Sequence, residues 1–469
     1  MKHINNQTGK PYRILWFGDM VILSGFGRIG NEVLRRLKGR GYEVQAAGIG
    51  YSGWPHDLPF HVWPLANTDL WNPITSIVAQ TQPDILISCQ DFPYHTMLYN
   101  GCRIDFSRLK WLWITPIDGT PVHPDWLRAA DYADAGMVIS RFGVEAMRQA
   151  GKHVDLCHPG ANAGEFYPAA QDERARLREV AGFAPDDFIV GVVCMNQGRK
   201  AIPPMLEAFH EFARDKPNTQ LILDMDKASP AGWDLPNLLV QLGWTDEQKK
   251  RIRYREDLFK APDMLPLRNR YVLMDAHMVI SHREGFGLPL LESMACRIPT
   301  ITLDYCSGTE IIGENRGWLI PRLDYMQHGT WGGARDAFPD VPALIAALED
   351  IYRNPIEAAA RAERGYQWAQ AQTWDVTTDQ IEAVIQRIVK EIKSHAEPRH
   401  ANTSGIPAPG LSDIHSRGHR DGQHPESAHA VDRDSELQRP GTLDPLLEVA
   451  GADGAPGGAG GTLTDHHPG

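Results

Sequence analysis

The sequence has no run of 18 consecutive apolar residues, and its start, Met1–Lys10, is polar with no hydrophobic stretch of signal-peptide type. That argues against a membrane-spanning or secreted chain, so a cytoplasmic protein is expected. No C-x-x-C pair exists; the six cysteines (Cys89, Cys102, Cys157, Cys194, Cys296 and Cys306) are scattered singly, which supports neither a disulfide framework nor a zinc site. Residues 395–469 contain no Phe, Trp or Tyr, yet they hold 12 of the 43 glycines and 8 of the 34 prolines. Such a segment cannot bury enough apolar surface to offset its ordering entropy, so a disordered tail is expected there. Excess positive charge is also lacking. The chain carries 47 basic and 59 acidic side chains, a formal charge of −12, and half of that acidity falls in the tail, with 11 acidic and 5 basic residues. A protein that coats nucleic acid through a general basic surface is thereby disfavoured. Eight of the 19 histidines also lie in the tail, without ligand spacing for a metal.

What remains is long enough for two domains. Short apolar, β-branched runs alternate with amphipathic stretches through residues 12–350, the pattern of βαβ units on parallel sheets. Strands are expected at Arg13–Gly18, Glu43–Ile49, Phe60–Pro64, Ile85–Cys89, Lys110–Thr115, Ala135–Ile139 and His153–His158. After Phe166 and Pro168 the alternation restarts, with strands at Phe188–Cys194, Gln220–Met225, Met278–Ile280 and Pro299–Leu303. The first helix is placed at Ile29–Lys38, and a last amphipathic stretch at Thr378–Lys393. In sheets of this kind ligands bind beyond the carboxyl ends of the strands, so the loops there are where chemistry is sought.

One such loop follows the apolar Met278–Ile280 and reads His282-Arg-Glu-Gly-Phe-Gly-Leu-Pro-Leu-Leu-Glu292. Pro289 suits the first helical position, which puts Glu284 in the loop and Glu292 in the first turn or so of a helix. Gly285 and Gly287 let backbone amides approach a ligand, and a helix N-terminus behind a glycine loop is an anion site. Carboxylates beside an anion site suit a phosphate attached to sugars: amides take the phosphate oxygens and carboxylates accept from hydroxyls. Each glutamate taken alone would be an ordinary turn or solvated helix residue.

The string Glu284 to Glu292 resembles the E-x7-E signature of family-4 retaining glycosyltransferases of the GT-B fold. The resemblance extends over roughly residues 12–394. It includes Gly25 and Gly27, Ser140-Arg141, His158-Pro-Gly-Ala-Asn162 with Phe166 and Pro168, Gln197-Gly-Arg-Lys200, Cys306-Ser-Gly-Thr-Glu310, and Trp374. It implies two doubly wound Rossmann-like domains facing a cleft: an acceptor-side domain over residues 11–168, a donor-binding domain over 169–372, a helix over 373–394 packing back on the first domain, and the tail over 395–469. By this likeness Glu284 would bond the donor sugar, Glu292 would hold the ribose, and Arg199 and Lys200 would neutralise the diphosphate. Phe286, Gly287 and Leu288 would line the donor, and Gly25 and Gly27 would approach the phosphates. The donor is then a nucleoside-diphosphate sugar, with no other cofactor and no divalent metal.

At one place the sequence departs from the family, many members of which carry a histidine after the strand equivalent to Lys110–Thr115. Here Asp118 stands in that place and His123 follows five residues later. Asp118 is the candidate for sugar hydroxyls or the acceptor proton, with His123 as runner-up on the acceptor side. Two motifs suggest other chemistry. Gly25-Phe-Gly-Arg-Ile-Gly30 is a G-x-G-x-x-G pattern, but it begins several residues past its strand, and Glu43–Ile49 is followed by no acidic residue for a dinucleotide ribose. Asp224-Met-Asp226 is a D-x-D pattern of the metal-binding kind, with a plain loop role as the default.

The acceptor is open between a saccharide, a lipid-linked group and modified DNA. Arg28, Arg35, Arg36, Lys38 and Arg40 form the one basic cluster of the first domain, either a solvated helix face or a surface for lipid head groups or phosphate backbone. Sequences with the Ser24-Gly-Phe-Gly-Arg28 opening look similar to transferases of bacterial and phage genomes, which keeps glycosylation of a hydroxymethylated pyrimidine in view. A GT-B nucleotide-sugar epimerase and a catalytically silent sugar-nucleotide-binding protein are the alternatives from other classes.

Overall fold

The computed structural model describes residue 5 and residues 9–65, 70–327 and 333–390. The expected tail therefore lies outside the described residues. Two parallel sheets form the frame. The first runs in the order β3 (Val62–Leu65), β2 (Glu43–Ile49), β1 (Arg13–Asp19), β4 (Ile85–Cys89), β5 (Lys110–Thr115), β6 (Ala135–Val138), β7 (Asp155–Leu156). The second runs β10 (Ile252–Tyr254), β9 (Thr219–Asp224), β8 (Phe188–Val193), β11 (Ala276–Val279), β12 (Thr300–Leu303), β13 (Trp318–Ile320).

The strands are covered on both faces, so they are continuous apolar runs: every residue of Ile85–Cys89 is buried, and in Lys110–Thr115 only Lys110 is not. Strand order reverses between β1 and β4 in the first sheet and between β8 and β11 in the second. The loops that leave these strands are the ones that can hold a ligand.

Several local features differ from the sequence expectation. The first helix is Gly25–Gly39, four residues longer at its start, because Ser24 caps it: its Oγ accepts from Gly27 N–H at 2.9 Å and donates to Asp19 Oδ2 at 2.6 Å. Gly25 and Gly27 thus sit in a helical turn and not in a loop. Pro289 is the second residue of the helix Leu288–Ala295, and Glu292 is the fifth, in its second turn. Beyond the expected strands there is an antiparallel hairpin, β14 (Arg322–Gln327) with β15 (Arg335–Pro339), which bonds through Ala337 N–H to His282 O at 3.0 Å and through Arg335 N–H to Thr120 O at 2.9 Å.

The last helix, Trp374–Lys390, returns to the first sheet's side of the molecule. Arg40 of the first helix meets Asp379 at 2.6 Å and Glu382 at 2.5 Å, and Thr377 Oγ1 donates to His158 O at 2.6 Å. The crossing is tight at Gly160, where a Cβ would lie 2.3 Å from Thr373 C and Trp374 N, so only glycine fits.

Candidate active site

The site is built where the loops after β8 and β11 are tied together. Ala201 N–H donates to Ile280 O at 3.1 Å and His282 N–H to Arg199 O at 2.8 Å, and Lys200 and Ser281 form an antiparallel bridge. This pairing forces Arg199 and Lys200 against Glu284, although some 84 residues separate them in sequence. Lys200 Nζ donates to Glu284 Oε2, Arg199 Nη1 lies 3.4 Å from the same oxygen, and Ser281 Oγ donates to it at 3.1 Å. Burial alone would raise the Glu284 carboxyl; Lys200 and Arg199, with the Lys200 and Ser281 bonds, reverse that and hold it down at about 2. All three contacts fall on Oε2, which leaves Oε1 to accept from a ligand hydroxyl.

Glycine is required here at two points. A Cβ on Gly285 would lie 2.5 Å from Pro116 Cβ, and Gly287 takes a left-handed φ of 91° as it opens the helix Leu288–Ala295. No side chain caps that helix; Pro289 brings no N–H, and Leu290 and Leu291 N–H turn back to Gly287 O at 2.9 and 3.4 Å, so the Leu288 amide is the one in the first turn left for an anion. Phe286 beneath it is buried, its carbonyl and that of Glu284 both reached by Ser307 Oγ at 2.9 and 3.0 Å, and His158 packs edge-on against its ring at 5.3 Å.

The first helix faces this one. A Cβ on Gly25 would stand 3.8 Å from Leu288 Cδ1, so two helix N-termini converge on one gap; at Gly27 a Cβ would lie 2.5 Å from Ile22 O. Helix dipoles favour an anion here, and of the two charges of Lys200 and Arg199 one is offset by Glu284. Beside it Glu292 is buried, with Oε1 taking Arg28 Nη1 at 2.6 Å and Oε2 taking Tyr271 OH at 2.8 Å.

Asp118 is brought into the cluster: Arg283 Nη1 is 3.6 Å from its carboxylate, and its carbonyl accepts from Cys306 Sγ at 3.0 Å. His123 makes no hydrogen bond to the cluster; its Nδ1 accepts from Asp125 N–H at 3.2 Å, beside Trp126. Sequence reasoning missed Asp19 and Asp91, which stand at or just past the ends of β1 and β4. Burial raises both carboxyls; for Asp91 the nearby Asp118 adds to it against the pull of Arg199, and Asp91 is pushed up to about 7. Their position beyond central strands was the signal available. A raised carboxyl contributes stability that is full below its unfolded pKa and is lost as pH rises through the folded value. Asp91→Asn is therefore expected to melt above the parent at pH 8.5, by about 2 kcal/mol after solvent screening, and level with it near pH 4. Thermal melts at both pH values check this, and a lower melting point for the variant at pH 8.5 would refute it.

The carboxylates of the D-x-D pair are taken up by arginines. Asp224 is fully buried between Arg255 Nε at 2.7 Å and Arg270 Nε at 2.5 Å, and Asp226 meets Arg255 at 3.0 Å. Among the described residues no group of three or more His, Cys, Asp or Glu is arranged to hold a metal ion, and no helix is long and apolar enough to cross a membrane. The basic cluster is engaged internally: Arg28 with Glu292 and Glu165, Arg35 with Asp57, Arg36 with Glu32 and Asp375, Lys38 with Pro59 O, Arg40 with Asp379 and Glu382.

Residues 265–327, which span this loop and helix, match the family model described as glycosyl transferases group 1. The chain is similar to the group 1 glycosyltransferases. Among curated relatives, the D-inositol 3-phosphate glycosyltransferase of Rhodococcus jostii is 27% identical over 226 residues, covering 48% of this chain and 47% of that one. The GDP-mannose-dependent alpha-(1-6)-phosphatidylinositol monomannoside mannosyltransferase of Mycolicibacterium smegmatis is 27% identical over 255 residues, 52% of this chain and 59% of that one. The chain thus spans about half the length of the curated relatives it matches. Of solved structures, sucrose-phosphate synthase from Thermosynechococcus elongatus superposes with a TM-score of 0.64 at 18% identity, over 81% of this chain and 100% of that one. Anabaena HepE, in complex with UDP and glucose, gives 0.60 at 16% identity, over 80% and 100%. The fold is GT-B, two Rossmann-like sheets as the sequence leads one to expect.

Proposed function

We propose that the chain transfers a sugar from a nucleoside-diphosphate sugar to an acceptor hydroxyl, with retention of configuration and the diphosphate as leaving group. The observation that carries this reading is the Lys200–Arg199–Glu284 cluster set against two converging helix N-termini. As the bond from the anomeric carbon to the diphosphate oxygen breaks, negative charge grows on that oxygen. Fixed cations and amides aimed there favour the transition state over the ground state. The acceptor oxygen bonds the anomeric carbon from the same face, and its proton passes to the departing phosphate oxygen. Glu284 Oε1 accepts from hydroxyls of the donor sugar, and Glu292 receives the ribose. The names of relatives support this class, since one is GDP-mannose-dependent and HepE was solved with UDP-glucose.

For the acceptor we favour a neutral hydroxyl compound. The cations of the first helix are already engaged within the protein, so a polyphosphate backbone finds no free basic surface there. No observation favours the epimerase or the silent binding protein. The test is a panel of UDP-, GDP- and ADP-sugars incubated with the protein in EDTA. We expect slow release of free sugar and nucleoside diphosphate from one nucleotide class, undiminished by the chelator. Interconversion of the sugar would instead make it an epimerase, and binding without turnover a silent protein; activity that needs added Mg²⁺ or Mn²⁺ would overturn the metal-independent part.

A further inference from the structure

Glu292 poses a conflict for the function proposed above. A ribose presents two vicinal hydroxyls and needs carboxylate oxygens to accept from them, but both oxygens of Glu292 are already engaged, by Arg28 at 2.6 Å and by Tyr271 at 2.8 Å. The Glu292 side chain is also only 7% exposed, so a ribose reaches it only if the partner that covers it moves. Tyr271 is fully buried, its ring edge-on to Phe166 at 6.1 Å and to His277 at 5.3 Å, and it has nowhere to go. Arg28 is different. It comes from the opposite sheet's first helix, its side chain is 28% exposed, and its other terminal nitrogen already holds Glu165 Oε1 at 3.0 Å while the guanidinium lies 5.2 Å from the centre of the Phe166 ring.

We infer that Arg28 is a displaceable donor-site residue: it pairs with Glu292, and the ribose hydroxyls of an incoming nucleotide replace it, the guanidinium passing wholly to Glu165. This rests on the reading that Glu292 receives the ribose. The exchange leaves no cation unpaired, because the planar guanidinium fork can bind a single carboxylate through two parallel bonds. Glu292 keeps Tyr271 and gains two hydroxyl donors in place of one charged partner. Glu165, half-exposed at 43%, is the resting place that makes the exchange cheap. Binding then carries the cost of undoing the pair, so the apparent affinity falls by the fraction of molecules in which Glu292 is free.

The sign of this effect separates it from simple charge attraction. For an anionic ligand, losing Arg28 would weaken binding and losing Glu165 would strengthen it. Uncharged nucleosides remove that contribution, so uridine, guanosine and adenosine are titrated calorimetrically into the parent protein and three variants. Arg28→Gln should bind its preferred nucleoside about 5-fold or more tighter, Glu165→Gln about 5-fold weaker, and the double variant like Arg28→Gln alone. Should Arg28→Gln not fold, Glu165→Gln still decides. Equal or weaker binding by Arg28→Gln, or equal or tighter binding by Glu165→Gln, in a parent that does bind nucleosides overturns this inference alone. A parent that binds neither nucleosides nor nucleoside diphosphates overturns the proposed function as well.

Discussion

Glu284→Gln is expected to lower donor turnover by about 10³-fold or more, judged by what removing one well-placed transition-state contact costs, while the two sheets remain intact. The carboxylate is the one acidic group bonded to both Lys200 and Arg199 among the described contacts, and its Oε1 is left over for the sugar. The amide keeps an acceptor oxygen but no charge, so Lys200, only 5% exposed, loses its counterion. Stripping one partner from a buried pair costs roughly 3–5 kcal/mol, and the variant should melt several degrees lower as well. The pH dependence has a fixed sign. Because the folded carboxyl is held at about 2, below its ordinary 4.5, its contribution to stability is full above pH 4.5 and is lost as pH falls towards 2. The parent should therefore lose stability through that acid window more steeply than Glu284→Gln does. A variant with full turnover, or one whose acid limb matches the parent's, would contradict the placement of this group.

Lys200→Met is the second large effect. It removes one of the two cations that the proposed mechanism aims at the developing charge, and kcat should fall about 10²- to 10³-fold, the range seen when a single preorganised donor is lost. The loss should appear in kcat more than in KM, because Arg199 and the two helix N-termini still bind the ground-state diphosphate. Stability should suffer less than in Glu284→Gln, since Glu284 retains Arg199 and Ser281. A change confined to KM would mean that Lys200 only recruits the donor.

These effects concern residues that the sequence singled out; the contacts between them were not legible there. Glu284, Arg199 and Lys200 stand in loops directly after apolar runs, and a run such as Ile85–Cys89, buried on both faces, marks a parallel strand without any partner being known. The short β10 and β13 were missed because three residues carry too little pattern. The hairpin β14–β15 was missed for another reason: Arg322–Gln327 is exposed on nearly every residue, so no alternation shows. The glycines at 25 and 27 read as a loop because glycine is a poor helix former, but the Ser24 cap and the contact at Ile22 O outweigh that local preference. Asp91 has no motif at all; burial raises its carboxyl first, and Asp118 and Asp19 add to that only when three strands align. The pairing of Arg28 with Glu292 joins positions 264 residues apart, and no pattern in a single sequence reports that distance.

The central claim is that the gap between the two helix N-termini takes a nucleoside diphosphate. The most direct measurement is equilibrium binding of UDP, GDP and ADP to the parent protein and to Lys200→Met, without metal. The account predicts that one of the three binds the parent saturably, with one site per chain, and that Lys200→Met weakens it markedly. Absence of binding by all three, or equal affinity in the two proteins, would contradict it.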